Sequence, residues 1–324
     1  MPLVHRSFTT AYSNSPACPS CRSGDLALVG KIPASNIFAG RESFEPLDGG
    51  NLFHCRGCHL SFRFPRKTKE ELSVLYSAGS DEAWECEVPI RADWKAARSW
   101  IEGTLRAGSS ILDVGCFDGS FLQSLSPQYR CFGIEIQRNA SRKAAAKNLA
   151  IIANRYDDLA DISDRFDGIV AFDLIEHVHD PAYLLSLLAN ALVPSGTLII
   201  SSGNSDAITW RIMGSRYWYC AISEHISFIN PRWCGAVVSG LGLRIERLTS
   251  FSHSAAPFHQ KVLFAAKNLA YLAAPQGAAW MRKRGFGGKA ARRFPVLAEH
   301  PPSWMSARDH FILFARKIAP HNTF

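Results

Sequence analysis

Between residues 110 and 203, short apolar runs alternate with stretches in which apolar residues recur every three or four positions. SILDVG, YRCFGIEI, AIIANR, DGIVAFDLI and GTLIISSG read as strands, with SFLQSL, NASRKAAAKNLA and DPAYLLSLLANALV as the helices between them. Apolar strands separated by helices of this length predict βαβ units around a parallel sheet covered on both faces, hence a doubly wound, Rossmann-like α/β domain. Upstream, ELSVLY and WKAARSWIEGTL, the latter with Trp94, Ala97, Trp100, Ile101 and Leu105 near helical spacing, predict helices leading into that domain. Downstream the pattern loosens into the aromatic stretch ITWRIMGSRYWYCAISEHISFI, then resumes as a helix near PRWCGAVVSGLG and a strand at LRIERLTSF. FHQKVLFAAKNLAYLAA predicts a helix, GFGGKAARRFP a flexible stretch, and HFILFARK a terminal strand returning to the core sheet. The chain therefore divides into a loop-rich module with its linker over 1–75, a core over 76–250, an insertion over 251–305 and a terminal strand over 306–324.

Composition narrows the class. Hydrophobic residues at 47% and charged residues at 20% describe an ordinary globular protein, and no apolar run reaches the roughly 18 residues of a membrane span. The N-terminus has no basic start followed by an apolar stretch, so a cytoplasmic location is expected. The formal charge of +8 is concentrated in the insertion, where Lys261, Lys267, Arg282, Lys283, Arg284, Lys289, Arg292 and Arg293 stand against Glu299 alone. Such a patch suits an anionic partner: a phosphorylated substrate, a lipid headgroup or nucleic acid.

Four of the nine cysteines stand in two pairs, CPSC at 18–21 and CRGC at 55–58. Cys18, Cys21, Cys55 and Cys58 offer the four thiolates that close the shell of a structural Zn²⁺, leaving no open position for water. A module too thin for its own core would be held together that way.

The turn ILDVGCFDGSFL follows the first strand, where backbone approaches a ligand most closely in an open parallel sheet. It lacks the glycine spacing of a dinucleotide fingerprint, because Phe117 stands at the second glycine, and no GK[ST] follows to make a P-loop. Asp113 in the strand and Glu135, 22 positions on, suit a ligand with a ribose and an ammonium group but no phosphate.

ILDVGCFDGSFL, GIEI, FDGIVAFDLIEHVHDP and LVPSGTLIISSGN, in that order, resemble the class I S-adenosylmethionine-dependent methyltransferases over about residues 95–250. The first motif of that family commonly reads DxGxGxG, from which Phe117 departs. The resemblance implies that Asp113, Gly115 and Gly119 surround the methionine part of the cofactor, that Glu135 binds the ribose, and that Asp157 or Asp158 lies near the adenine. Asp173 and Leu174 would line the pocket where the methyl group faces the acceptor. FHCRGCHLSFRFPRKTKEELSVLY resembles the zinc-binding heads that precede bacterial methyltransferases of this type, including enzymes of sugars and other small metabolites.

His225, in the aromatic stretch, is the candidate general base, with Glu224 as its orienting partner. His177 is either a local structural histidine or a catalytic one. The expected activity is methyl transfer to oxygen of a small-molecule or sugar-like acceptor, with the basic insertion covering or flanking its entrance. Two alternatives stay open: an RNA methyltransferase that grips phosphate through the zinc module and basic segment, and a non-catalytic binding protein on the same fold. Peripheral contact with an anionic membrane is a further expectation for the insertion helix.

Overall fold

The computed structural model describes residues 16–77, 91–286, 299–304 and 306–319. Its N-terminal part holds β1 (Leu26–Lys31), the hairpin β2 (Ser35–Phe38) and β3 (Arg41–Leu47), β4 (Asn51–Cys55), β5 (Ser61–Phe64) and helix α1 (Lys69–Ser77). Helix α2 (Ala92–Thr104) leads into β6 (Ser110–Val114), α3 (Ser120–Leu125), β7 (Arg130–Ile134), α4 (Arg138–Ala146), β8 (Ala150–Ala153), β9 (Phe166–Phe172), α5 (Pro181–Ala191) and β10 (Leu192–Gly203). There follow α6 (Ile208–Met213), β11 (Ser227–Phe228), α7 (Pro231–Val238), β12 (Leu243–Phe251), α8 (Phe258–Ala273), α9 (Pro275–Met281) and β13 (His310–Lys317).

The large sheet runs β12-β13-β10-β9-β6-β7-β8. The pairs among β10, β9, β6, β7 and β8 are parallel, whereas β13 lies antiparallel between β10 and β12. The central strands pack on both faces, as their uninterrupted apolar runs predict. Ile111, Val170, Ile199, Ile312 and Phe314 face α2, α3 and α4 on one side, while Leu112, Ile169, Ala171, Ile200 and Leu313 face α5 and α7 on the other. Helix starts follow their capping chemistry: Asp180 accepts from the Tyr183 amide ahead of α5, Asn230 accepts from the Trp233 amide ahead of α7, and each helix has proline in its first turn.

The head is stitched to the core. β1, β4 and β5 form a second sheet whose fourth strand, β11, comes from after the parallel strands of the core, with Ser227 opposite Phe62. Arg63 is buried, donating to the carbonyls of His225, Gly49, Cys220 and Ile222 at 2.7–3.1 Å. Arg66 does the same for Ile226 and His179. Within the aromatic stretch, α6 and two short turns bury Trp210, Tyr217 and Tyr219 together. Helix α8 packs Phe264, Ala265 and Tyr271 against this cluster. The periodicity did not announce α6, because it is only six residues long and exposes Ile208 and Ile212 while burying Trp210 and Met213. Phe258, Val262 and Leu263 of α8 are exposed near Lys261, as are Trp280 and Met281 near Arg282. Most of the expected flexible stretch GFGGKAARRFP, with Lys289, Arg292 and Arg293, lies outside the described residues.

Candidate active site

The chain leaves β6 through a turn with three left-handed residues, Gly115 (φ +80°), Phe117 (φ +48°) and Gly119 (φ +74°). A Cβ on Gly119 would lie 2.2 Å from Leu149 Cδ1, so glycine lets α4 and its following loop pack on the turn. Phe117 adopts the conformation that glycine would take at little cost, about 1–2 kcal/mol for a residue with a side chain. Its amide donates to Glu135 Oε2 at 2.8 Å, which holds the turn in place, while Glu135 Oε1 accepts from the Gln137 amide at 2.7 Å.

Asp113 points into this turn with 2% exposure, and its Oδ1 has no hydrogen-bond partner. Burial, then the neighbouring Glu135, push its carboxyl up to about 8. Such a group is poised for a cation to arrive: a bound ammonium would replace the proton and satisfy the free oxygen. Asp157 and Asp158 sit in the turn after β8. Asp158 is occupied in capping, accepting from the Arg155 amide, whereas Asp157 faces Lys69 of α1 and Arg155. Leu174 lies against Gly115, with 3.3 Å from its Cδ1 to the place of a Cβ there. The expected cofactor residues thus converge at the carboxyl ends of β6, β7, β8 and β9.

Asp173 follows β9 in a left-handed conformation (φ +46°), and its surroundings were not read from the sequence. Arg91 donates to Asp173 Oδ2 and also clasps Asp93 through two bonds of 3.0 and 2.6 Å. Asp93 is sealed and accepts from Ser201 Oγ at 2.8 Å. Burial opposes the Asp173 charge, but Arg91 and then His253 outweigh it and hold the carboxyl below its ordinary range. His253, just past β12, brings Nε2 to 4.0 Å from Asp173 Oδ2, and its ring lies 4.2 Å from that of His310. His310 opens β13 and is bonded to Asp309 Oδ1 at 3.0 Å. Burial opposes its charge too, but Asp309 raises His310 above the usual histidine value. Arg91, Asp93, His253, Asp309 and His310 come from distant segments. The sequence offered only the two strands, one ending at Phe251 and one starting at His310; that these ends pair is seen in the structure.

The pair expected to do the base chemistry is placed differently. His225 is 6% exposed, its Nδ1 is bonded to the Tyr219 carbonyl at 3.1 Å, and its ring packs on Tyr219 and His177. Burial, with His177 beside it, drives its pKa well below 6.5. Glu224 does not orient it, because Glu224 Oε1 accepts from the Ala39 amide at 2.9 Å. Both residues serve the junction between head and core rather than an open mouth. His177 belongs to the same packing, its Nδ1 bonded to Tyr76 Oη at 2.9 Å, and burial brings it down to about 4. Glu176, fully buried and bonded by Tyr219 and Ser202, is pushed up to about 7 by burial first and Asp173 next.

In the head, Cys18 and Cys58 bring their sulfurs to 3.5 Å, as do Cys21 and Cys55, and all four lie within 4.8 Å of one another. Four thiolates around one tetrahedral zinc would stand about 3.8 Å apart, so the set fits such an ion with little movement.

Comparison with known proteins agrees with this architecture. Residues 90–248 match a family described as a methyltransferase domain. A ubiquinone biosynthesis O-methyltransferase of Ralstonia nicotianae is 25% identical over 180 residues, covering 51% of this chain and 74% of that protein. Its counterpart from Xylella fastidiosa strain M23 is 26% identical over 200 residues, covering 57% and 78%. Among solved structures, a chain from the complex of the Haloferax volcanii Trm112 methyltransferase activator with a methyltransferase aligns with a TM-score of 0.50 at 16% identity. The alignment covers 78% of this chain and all of that one, a likeness of fold. Among the described residues, no helix is long and apolar enough to cross a membrane.

Proposed function

We propose that the chain is an S-adenosylmethionine-dependent methyltransferase of class I that methylates oxygen on a small, sugar-like acceptor held at the mouth formed by Asp173, Leu174 and His253. The observation that carries this reading is Asp113, a buried carboxyl with a free oxygen beside a left-handed glycine turn. The cofactor supplies a methyl group on a sulfonium sulfur. The chain's part is to bind, orient and exclude water. Asp113 takes the ammonium of the methionine part, and Gly115 and Gly119 let backbone approach it. Glu135 keeps a lone pair on each oxygen for the ribose hydroxyls after bonding the Phe117 and Gln137 amides. Asp157, rather than the capping Asp158, is available near the adenine. Cys18, Cys21, Cys55 and Cys58 hold a structural zinc that fixes the head.

Calorimetric titration of the zinc-loaded chain with S-adenosylmethionine tests this reading. Micromolar binding is expected, abolished in folded Asp113→Ala and Glu135→Ala variants. No binding by the intact chain sinks the proposal and leaves a non-catalytic binding protein as the better reading.

A further inference from the structure

We infer that Asp173, His253 and His310 form a binding site for a divalent first-row transition-metal ion at the acceptor mouth. The inference deepens the proposed function, on which its catalytic meaning rests, while its geometry stands independently. One ligand atom from each of the three side chains falls within 4.8 Å of the other two. They arrive at one end of the large sheet from three of its strands, the adjacent β12 and β13 and, across β10, the central β9: Asp173 after β9, His253 after β12 and His310 at the start of β13. Two imidazoles and one carboxylate leave further positions for oxygen ligands, and that donor set suits Mn²⁺, Fe²⁺, Co²⁺ or Zn²⁺ better than Ca²⁺.

The surroundings supply what a metal site needs beyond its ligands. Asp309 Oδ1 accepts the Nδ1 proton of His310 at 3.0 Å, which leaves the Nε2 lone pair for the ion. Asp309 is itself held by Tyr217 and by Trp218 Nε1 through its other oxygen. Asp173 Oδ1 is buried without a hydrogen-bond partner, because Arg91 bonds Oδ2. Arg91 does not exclude a cation, since the two-pronged Asp93 neutralises it. Asp173 and Asp309 are then two negative charges facing one dication. The other histidine-carboxylate cluster, Glu176, His177 and His225, also gathers within 4.8 Å but spends its atoms on Tyr219, Ser202, Tyr76 and a backbone carbonyl.

An ion here would stabilise the deprotonated form of an acceptor hydroxyl. The O–H bond breaks with its proton passing to solvent water. The oxygen lone pair then forms the C–O bond as the S–CH₃ bond breaks and leaves its electron pair on sulfur.

The test uses the whole, zinc-loaded chain and Mn²⁺ alone, whose preference for nitrogen and oxygen donors keeps it off the thiolates. Paramagnetic resonance should count one bound Mn²⁺ per chain, with two imidazole nitrogens in the pulsed spectrum. His253→Gln should weaken binding about tenfold or more, and Asp309→Asn about 10–100-fold by releasing the His310 ring. No retained Mn²⁺, fewer than two coordinating nitrogens in the unaltered protein, or unchanged affinity in folded His253→Gln would each overturn the inference. S-adenosylmethionine titrated into the same samples separates the two claims. Cofactor binding without Mn²⁺ binding removes the metal site alone, whereas absent cofactor binding removes the functional reading whatever Mn²⁺ does.

Discussion

His177 and His225 face each other with ring centres 4.7 Å apart, and His253 and His310 do so at 4.2 Å, each pair beside a carboxylate in the segment that leaves β9. What differs is where their lone pairs go. The first pair is tied by Tyr76 and by the Tyr219 carbonyl, in a junction whose backbone Arg63 and Arg66 peg from the head. In the second, the one ring-nitrogen hydrogen bond among the described residues is that of His310 to Asp309, and Asp173 Oδ1 is buried beside the rings without a partner. A histidine that looks catalytic in composition becomes structural when every polar atom around it has a local partner, and the reverse holds when one carboxylate oxygen has none.

The largest effect that would expose this difference comes from Arg63→Ala. It leaves four buried carbonyls without their donor, and the loss should approach about 4 kcal/mol in urea unfolding. His253→Gln, at the rim of the other pair, should stay within about 0.5 kcal/mol. Equal destabilisation by the two would erase the distinction drawn between the pairs.

A smaller effect distinguishes them by pH. His177 is held at about 4 against 6.5 when unfolded, so its neutral form contributes stability that is present above 6.5 and lost as pH falls towards 4. His310 is raised, so its contribution is full below 6.5 and lost as pH rises through its higher folded value. Asp113 and Glu176 are also raised and lose stability as pH rises, so wild-type melting alone mixes the signs. The readout is the difference in Tm from each variant. The advantage of wild type over His177→Gln should shrink on acidification, and that over His310→Gln should shrink on alkalisation. Parallel differences at all pH values would contradict the assignment.

The smallest effect is expected at Phe117, outside both pairs. Phe117→Gly removes about 1–2 kcal/mol of left-handed strain and adds about 0.5–1 kcal/mol of chain entropy, so stability should move by about 1 kcal/mol or less. S-adenosylmethionine binding should persist in calorimetry, and its loss would mean that the ring itself touches the cofactor.

The same contrast explains what the sequence made legible. The strands were readable because β6, β9 and β10 are buried on both faces, which writes continuous apolar runs. Asp113, Glu135 and the cysteine pairs could be singled out because each stands in a local motif, and the structure gathers the four sulfurs within 4.8 Å and sets Asp113 and Glu135 at the carboxyl ends of adjoining strands. The Asp173 cluster was hidden, since Arg91, His253 and His310 are joined only by the strand order that slots β13 between β10 and β12. His225 was singled out because histidine titrates near neutrality, a property of residue type that says nothing of the aromatic residues around it. Those residues are core, with Tyr219 lying so close to Gly203 that a Cβ there would meet the ring at 2.6 Å. The left-handed conformation of Phe117 was equally invisible, although the turn it completes was recognised from the glycines on either side.

The pairing of β5 with β11 also sets an order of events during synthesis. β1, β4 and β5 leave the ribosome early, but the strand that completes their sheet, and the carbonyls of Cys220, Ile222 and His225 that Arg63 must satisfy, are made only after the whole parallel sheet. Until then the head carries an unpaired strand edge and an arginine with only Gly49 of its four carbonyl partners in place, so an early zinc ion would be the main restraint on its cysteine loops. Cutting the gene between head and core would therefore yield two incomplete folding units.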